Sequence, residues 1–128
     1  MRLQCLIAGL LLVPFLVAAE EPKPKPITPA EAAKKLREKV TVEMLVKSTG
    51  GNENCYLNSE DDFTLDSNFT IFLSKDAKEK FKKAGIEDPS EYFKMKTIQV
   101  TGLVFAIKDK PRIAVIEVDQ IKVIEKKP

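Results

Sequence analysis

The side chains that most often carry out catalysis are scarce in this sequence of 128 residues. It has no histidine, the commonest general base and the commonest neutral metal ligand, and no tryptophan. Without an imidazole, neither the serines and threonines nor Cys55 has the partner that would activate it as a nucleophile. No glycine-rich phosphate loop with its lysine is present. We therefore predict that the protein is not an enzyme and uses no cofactor.

Carboxylates are the remaining candidates for chemistry, and they cluster between Glu60 and Asp66. A calcium-binding loop places its acids at alternate positions and follows them with a glycine, a pattern that this stretch lacks. Two interpretations of this stretch remain, a weak surface calcium site and an ordinary solvated acidic loop, and the pattern favours the solvated loop. We predict no metal site.

Charge is nearly balanced over the whole chain, with 21 basic and 19 acidic residues. Removal of residues 1–19 would take away only Arg2 and leave a net charge of +1. Such a balance predicts no strong sequence-independent attraction to polyanions. The overall charge therefore does not indicate a partner.

Residues 1–19, MRLQCLIAGLLLVPFLVAA, have the composition of a secretory signal peptide. Arg2 precedes an apolar run, and small residues close the segment before an expected cleavage after Ala19. The alternative is an uncleaved anchor in the inner membrane, which a short run interrupted by Pro14 disfavours. Cys5 lies too far before the cleavage point to carry a lipid. We predict export to the periplasm or the extracellular space.

Cys55 would be the only cysteine after cleavage, so it could form neither an internal disulfide nor a cysteine-based zinc site. We expect it to be a buried small hydrophobic residue. The alternative is an exposed thiol that pairs with another chain.

Composition divides the rest of the chain into a linker, a domain and a tail. Residues 20–27 begin with EEPKPKP, in which proline favours an extended spacer. This linker could instead be a ligand for a partner's groove. We place the folded domain at residues 28–125 and a solvated tail at residues 126–128.

Capping residues predict two helices. Thr28, Pro29 and Glu31 form the start of a short N-terminal helix that fades by about Lys39. Ser74 starts a helix from Lys75 to Ala84 that Gly85 ends. Its lysines could bind phosphate, although a solvated polar face is the favoured interpretation.

Alternating apolar residues predict five strands, at Val40–Val46, Cys55–Asn58, Asn68–Leu73, Lys96–Ile107 and Arg112–Val118. A turn is expected at Asp88–Ser90, and a tight turn at Lys108–Pro111 joins the last two strands. Ile98 and Val100 share one face of the fourth strand, whereas Leu103, Phe105 and Ile107 share the other. We therefore expect a bend at Gly102, where the strand changes the side that it buries. The fifth strand is apolar on both faces and should be central.

The last two strands, YFKMKTIQVTGLVFAIKDKPRIAVIEVDQIKVI, resemble those of OB-fold domains of the tRNA-anticodon-binding, nucleic-acid-binding type, particularly small exported bacterial versions. CYLNSEDDF and NFTIFL are similar to their second and third strands. The resemblance implies a mainly β fold, a five-stranded Greek-key OB-fold barrel with a helix between strands 3 and 4. Met95 stands where these relatives often have glycine, and the turn KDKP lacks their glycine.

The resemblance also implies a ligand groove on strands 2 and 3 and the loops beside them. Residues of the right type for this groove are Lys47, Tyr56, Phe72, Lys108, Lys110 and Arg112. The two aromatic residues would stack bases and the cations would contact a backbone, unless Tyr56 and Phe72 simply form a partly buried wall. The acidic run from Glu60 to Asp66 adjoins the same face and should repel phosphate.

Two classes of function remain from the sequence. The first is an exported module that binds single-stranded nucleic acid or oligosaccharide. The second is an envelope protein–protein interaction module, which would use the same groove for a peptide or a partner domain. Fold alone does not choose between them.

Overall fold

The computed structural model describes residues 22–125, so the predicted leader and the predicted tail lie outside the described residues. Eight strands and three helices form this part of the chain. The strands are β1 (Pro26–Ile27), β2 (Lys39–Leu45), β3 (Ser48–Gly50), β4 (Cys55–Asn58), β5 (Thr70–Leu73), β6 (Thr97–Ile107), β7 (Lys110–Val115) and β8 (Ile121–Val123). The helices are α1 (Pro29–Ala33), α2 (Lys75–Lys83) and α3 (Pro89–Phe93), and a 3-10 turn at Val118–Gln120 precedes β8.

Both predicted helix starts are present. The Thr28 hydroxyl accepts from the backbone N–H of Glu31 at 3.1 Å, and the Glu31 carboxylate accepts from the Thr28 N–H at 3.0 Å. The Thr28 N–H and the Thr28 hydroxyl, which lies 3.1 Å from the same carboxylate oxygen, stabilise the charged form and lower the pKa of Glu31. Ser74 caps α2 by accepting from the N–H of Ala77 at 3.2 Å. The first helix is shorter than expected, since α1 ends at Ala33.

The turn predicted at Asp88–Ser90 is wrong, because these residues begin α3. The Asp88 carboxylate accepts from the N–H of Ser90 at 3.0 Å, and Pro89 occupies the first helical position. The helix buries Phe93, whose ring meets that of Phe81 edge-on, with the centroids 5.9 Å apart. The aromatic pair anchors α3 to α2.

The sheet is mixed and has eight strands, in the order β1-β2-β6-β7-β5-β4-β3, with β8 also paired to β6. The five-stranded Greek-key barrel that we predicted is therefore wrong in its number of strands. The predicted first strand is divided, because Val46 continues the pairing of β2 whereas Lys47 pairs with β4, near the other end of this order. Val46 exchanges backbone hydrogen bonds with Lys96 and Met95, whereas Lys47 donates to the carbonyl of Asn58. Residues 46–47 therefore connect the β2–β6 part of the sheet to the β4–β3 part.

Strand β1 belongs to the predicted linker. Pro26 and Ile27 pair in parallel with Thr41 and Val42 of β2. Proline is tolerated here because β1 is an edge strand, whose outward side has no partner strand that would need a backbone N–H. The ordered fold therefore starts before Thr28, where we had placed the domain boundary.

The apolar residues that strand β6 buries lie on one face from Ile98 to Val104, so the predicted change of side at Gly102 is wrong. Ile98, Val100 and Val104 are buried with the same parity, whereas Leu103 is 56% exposed. Gly102 has a packing role instead. A Cβ atom at this position would lie 2.6 Å from Cγ2 of Ile113, which only glycine avoids.

The turn between β6 and β7 has two residues, Lys108 and Asp109, rather than the predicted four. Both have positive φ, at 51° and 66°, the conformation that two-residue hairpin turns require. Strand β7 therefore begins at Lys110 and includes Pro111. It lies between β5 and β6, which confirms the predicted central position.

Strands β2, β4, β5, β6 and β7 supply most of the core, and α2 and α3 add Phe81 and Phe93. Cys55 is buried, as predicted. Burial raises the pKa of its thiol, which lies 3.2 Å from the Ser90 hydroxyl oxygen. Among the helices within residues 22–125, none combines the length and the apolar character that crossing a membrane requires.

Candidate ligand-binding groove

Two rows of side chains cross the outer face of the sheet. Strand register places one row at Ser48, Asn58, Thr70, Arg112 and Phe105. The neighbouring row runs through Gly50, Tyr56, Phe72 and Ala114. Residues two apart on a strand face the same side, so both rows lie opposite the core.

A groove of about 610 Å³ lies over the first row and one end of the second. The loop that joins β4 to β5 and the β6–β7 hairpin both contribute residues to its lining. The groove is lined by Ser48, Thr49, Gly50, Gly51, Tyr56, Asn58, Asp61, Phe63, Thr64, Asn68, Thr70, Ile107, Lys108, Lys110 and Arg112. This volume is within the range of small-ligand sites.

Three polar side chains at the base of the groove form a hydrogen-bonded chain. Asn68 donates through Nδ2 to the Thr70 hydroxyl at 3.1 Å, and that hydroxyl donates to Oδ1 of Asn58 at 3.0 Å. The Asn68 amide oxygen accepts from the N–H of Glu60 at 3.1 Å. All three residues are buried, so these bonds hold the base rigid.

Arg112 lies beside this chain and has no protein acceptor. None of its N–H donors is hydrogen-bonded within residues 22–125, and its Nε is shielded from solvent. A shielded donor without an acceptor costs free energy, because folding removes its water without a replacement. The guanidinium is therefore available to an acceptor that a ligand brings.

The two lysines of the groove differ in their contacts. Lys110 donates to the carbonyl of Thr64 at 3.1 Å, and its Nζ lies 3.6 Å from a carboxylate oxygen of Asp66. These contacts tie the β4–β5 loop to β7. Lys108 is exposed at the hairpin tip and has no ion pair within the described residues. Lys108 can therefore meet a ligand without giving up a contact.

Four of the six residues that we predicted for the site line the groove: Tyr56, Lys108, Lys110 and Arg112. The other two lie beside it. The Phe72 ring packs against that of Tyr56, with the centroids 5.4 Å apart. Lys47 pairs with Glu60 at 3.7 Å. Their role in binding stays a prediction.

Most of the acidic run is engaged within the protein. Glu60 contacts Lys47 and accepts from the Ser67 hydroxyl at 2.9 Å, and Asp66 faces Lys110. Asp62 accepts from both the N–H and the hydroxyl of Thr64, bonds that lower the pKa of its carboxyl. Asp61 is the carboxylate that lines the groove. Lysines thus offset the charge of Glu60 and Asp66, whereas Asp61 and Asp62 stay negative, so part of the repulsion of phosphate that we expected remains.

No group of three potential metal ligands comes together within residues 22–125. The carboxylates of the run instead face lysines, hydroxyls and backbone donors of their own region. Its internal contacts account for the local structure of the loop.

Two apolar residues that line the groove were not among the site residues that we predicted from the sequence. Phe63 is 64% exposed on the β4–β5 loop, and Ile107, which we had assigned to the core, is exposed on β6. An aromatic residue isolated in an acidic and polar stretch was the signal for Phe63, since such a residue has no strand to pack in. No comparable signal marks Ile107.

Comparison with known proteins bears on the fold alone. No protein-family model and no curated protein sequence matches this chain. Among solved structures, OBody AM1L10 bound to hen egg-white lysozyme has 19% sequence identity and a TM-score of 0.55, covering 84% of this chain and 100% of its own. An aspartyl-tRNA synthetase from Entamoeba histolytica has 17% identity and a TM-score of 0.52, over 98% of this chain.

A putative aspartyl-tRNA synthetase from Leishmania major Friedlin has 8% identity and a TM-score of 0.53, over 91% of this chain. This chain spans 24% of the Leishmania enzyme and 30% of the Entamoeba enzyme. Each match falls on an OB-fold unit of the other protein. The described part of this chain therefore has an OB-type fold.

Proposed function

We propose that this protein is an exported, non-enzymatic module that binds single-stranded nucleic acid in the groove. The observation that carries the proposal is the unpartnered guanidinium of Arg112 on the same face as the Tyr56 ring. Proteins that bind single strands combine flat aromatic side chains, on which bases stack, with cations that attract the phosphates. This groove has both.

Local charge supports an anionic ligand despite the balanced chain. The cations of the groove are Lys108, Lys110 and Arg112, and Asp61 is its carboxylate. Lys108 and Arg112 carry charge that no protein acid neutralises within residues 22–125. Phosphate contacts supply most of the affinity of such sites, and that affinity falls as salt rises.

Stacking surfaces support a nucleic acid over a simple anion. Tyr56 lies on the sheet face, and Phe63 lies exposed on the β4–β5 loop that lines the groove. Stacking of one base on an aromatic ring contributes about 1–3 kcal/mol. The two rings provide places for two bases.

An oligosaccharide is the second candidate, and the buried Asn58–Thr70–Asn68 chain favours it. Amide and hydroxyl groups beside an aromatic ring also suit a sugar. A neutral sugar could accept hydrogen bonds from Lys108 and Arg112 but would bring no negative charge to match theirs. The nucleic acid accounts for more of the groove.

Fluorescence anisotropy with a labelled single strand of about 16 nucleotides tests the proposal, since one OB fold covers at most about that length. We expect binding that weakens steeply between about 50 mM and about 200 mM salt. Lys108→Ala should weaken binding and reduce the magnitude of the salt slope by about 0.7. Tyr56→Ala should weaken binding about tenfold.

Lys82→Ala is the matched control, because Lys82 is an exposed lysine on α2 outside the groove. Its affinity should equal that of the unmodified protein. Absence of binding at low salt would contradict the proposal. Binding to an oligosaccharide array, or specific capture of an envelope protein, would then favour a rival function.

Export is tested separately. Cleavage after Ala19 would give a protein that begins at Glu20. Intact mass and N-terminal sequencing of the protein from fractionated cells should find that end in the periplasm or the medium. A chain that retains residues 1–19 in the membrane fraction would support the anchored alternative.

A further inference from the structure

We infer that Arg112 makes the groove selective for guanine. This inference rests on the proposed function, because it names the base that the single strand would place at Arg112. The reasoning starts from the position of Arg112 on the sheet and from the hydrogen-bonding groups around it.

Arg112 lies on the sheet face rather than on the rim. Its strand, β7, is central, and its direct neighbours across the sheet are Thr70 on β5 and Phe105 on β6. The side chain is half-buried, whereas Lys108 is exposed at the hairpin tip. A single strand keeps its phosphates near solvent and turns its bases towards the aromatic side chains. Lys108 is therefore placed for direct contact with a phosphate. The charge of Arg112 attracts the anionic strand as a whole, and its N–H donors are placed for the edge of a base.

The distance to the stacking ring fits a purine. Tyr56 is on β4, two strands from β7, which separates the two backbones by about 10 Å across the sheet. Tyr56 is also displaced from Arg112 by one row, which is two residues or about 7 Å along the strand direction. A base stacked on Tyr56 has to bridge much of this span to meet the guanidinium. A purine, with its second ring, reaches further than a pyrimidine.

Asn58 and Arg112, which lie in the same row of the sheet, offer free donors. Oδ1 of Asn58 already accepts from the Thr70 hydroxyl, so the amide turns its Nδ2 donors elsewhere. Neither these donors nor those of Arg112 have a protein acceptor within residues 22–125. Guanine presents two adjacent acceptors, O6 and N7, that match the fork of an arginine. Adenine replaces one of them with an N–H₂ donor, which would face the donors of the protein.

The test uses four oligothymidylates with one central position occupied by guanine, adenine, cytosine or thymine. We expect the guanine strand to bind about tenfold more tightly than the other three. Replacing that guanine with 7-deazaguanine removes the N7 acceptor and should abolish the preference. This chemical substitution leaves the protein unchanged, so its result does not depend on the folding of a variant.

Arg112→Lys keeps the charge and removes the fork. We expect it to bind all four strands alike, at about the affinity that the unmodified protein has for thymine, with an unchanged salt slope. Lys108→Ala is the matched control and should weaken all four strands by the same factor while the guanine preference persists. Thermal unfolding of each variant verifies that it is folded.

Each contrary outcome has a distinct meaning. Equal affinity for the four strands would overturn the guanine site and leave the proposed function standing. Uniform weakening by Arg112→Lys would assign Arg112 to a phosphate and overturn the site as well. A preference for cytosine would show that a pyrimidine edge occupies the position instead. Absence of binding to every strand would overturn both proposals.

Discussion

The side-chain amide of Gln120 donates to the backbone carbonyl of Thr101, with 3.0 Å between Nε2 and O. Its Oε1 accepts from the backbone N–H groups of Ile116 and Glu117, at 2.7 and 2.8 Å. Thr101 lies between the part of β6 that pairs with β8 and the part that pairs with β7. One side chain therefore makes the bonds that a strand would make at this position.

Gln120→Ala should lower the free energy of unfolding by about 2 kcal/mol, because it leaves two N–H groups and one carbonyl without these partners. Urea denaturation measures the change. Lys122→Ala, at an exposed position of β8, is the control and should stay within about 0.5 kcal/mol of the unmodified protein. Equal stability of the two variants would contradict a structural role for the Gln120 amide.

The hydroxyls of Thr41 and Thr101 form a buried pair 2.7 Å apart between β2 and β6. Thr41→Val or Thr101→Val alone should cost about 1–3 kcal/mol, because each leaves a buried hydroxyl without its partner. The double variant should lose about 1 kcal/mol less than the sum of the two single losses. Denaturation of all four proteins gives the coupling, and strict additivity would show that the pair does not interact.

Met95 has a φ of 66°, in the left-handed region that favours glycine, and is 61% exposed. Met95→Gly should raise the free energy of unfolding by about 0.5–1 kcal/mol. The change relieves the backbone strain of the folded state, and the greater freedom of glycine in the unfolded chain offsets part of this gain. Met95→Ala is the control, since it removes the side chain and keeps the strain. If both variants have the same thermal stability, the backbone at this position is not strained.

Burial raises the pKa of the Cys55 thiol, so the folded state favours the protonated form more than the unfolded chain does. The resulting stability is complete below the ordinary thiol pKa. It is lost as pH rises from there through the raised folded pKa. Denaturation across the alkaline range should show this loss, relative to Cys55→Ala. Parallel pH profiles for the two proteins would contradict it.

Local chemistry made the helices predictable. The pairing of Thr28 with Glu31, and the hydroxyl of Ser74 before an amphipathic stretch, act within one turn of helix and depend little on the rest of the fold. The Asp88–Ser90 segment carries a similar cap signal. Its helix was missed because Asp-Pro-Ser is equally typical of a turn.

Strand β6 was harder to predict, because both of its faces are apolar. Alternation alone does not tell Val104 from Leu103, so the apolar Leu103 suggested a change of side that packing does not make. The groove was predicted in part for a similar reason. Tyr56 follows from strand parity, and Arg112 from its place beside the basic turn. Phe63 reaches the groove only through the path of the β4–β5 loop, which Lys110 holds from a distant part of the chain.

The pairing of β2 with β6 sets the time at which this chain can fold during its synthesis. Lys39 of β2 pairs with Leu103, far along the sequence. Contacts between such distant segments must wait for loop closure, which makes them late and slow. The ribosome has therefore made the whole stretch between the two strands before β2 gains its main partner. Because it folds late, the nascent chain stays unfolded during much of its synthesis, which suits the export that we propose.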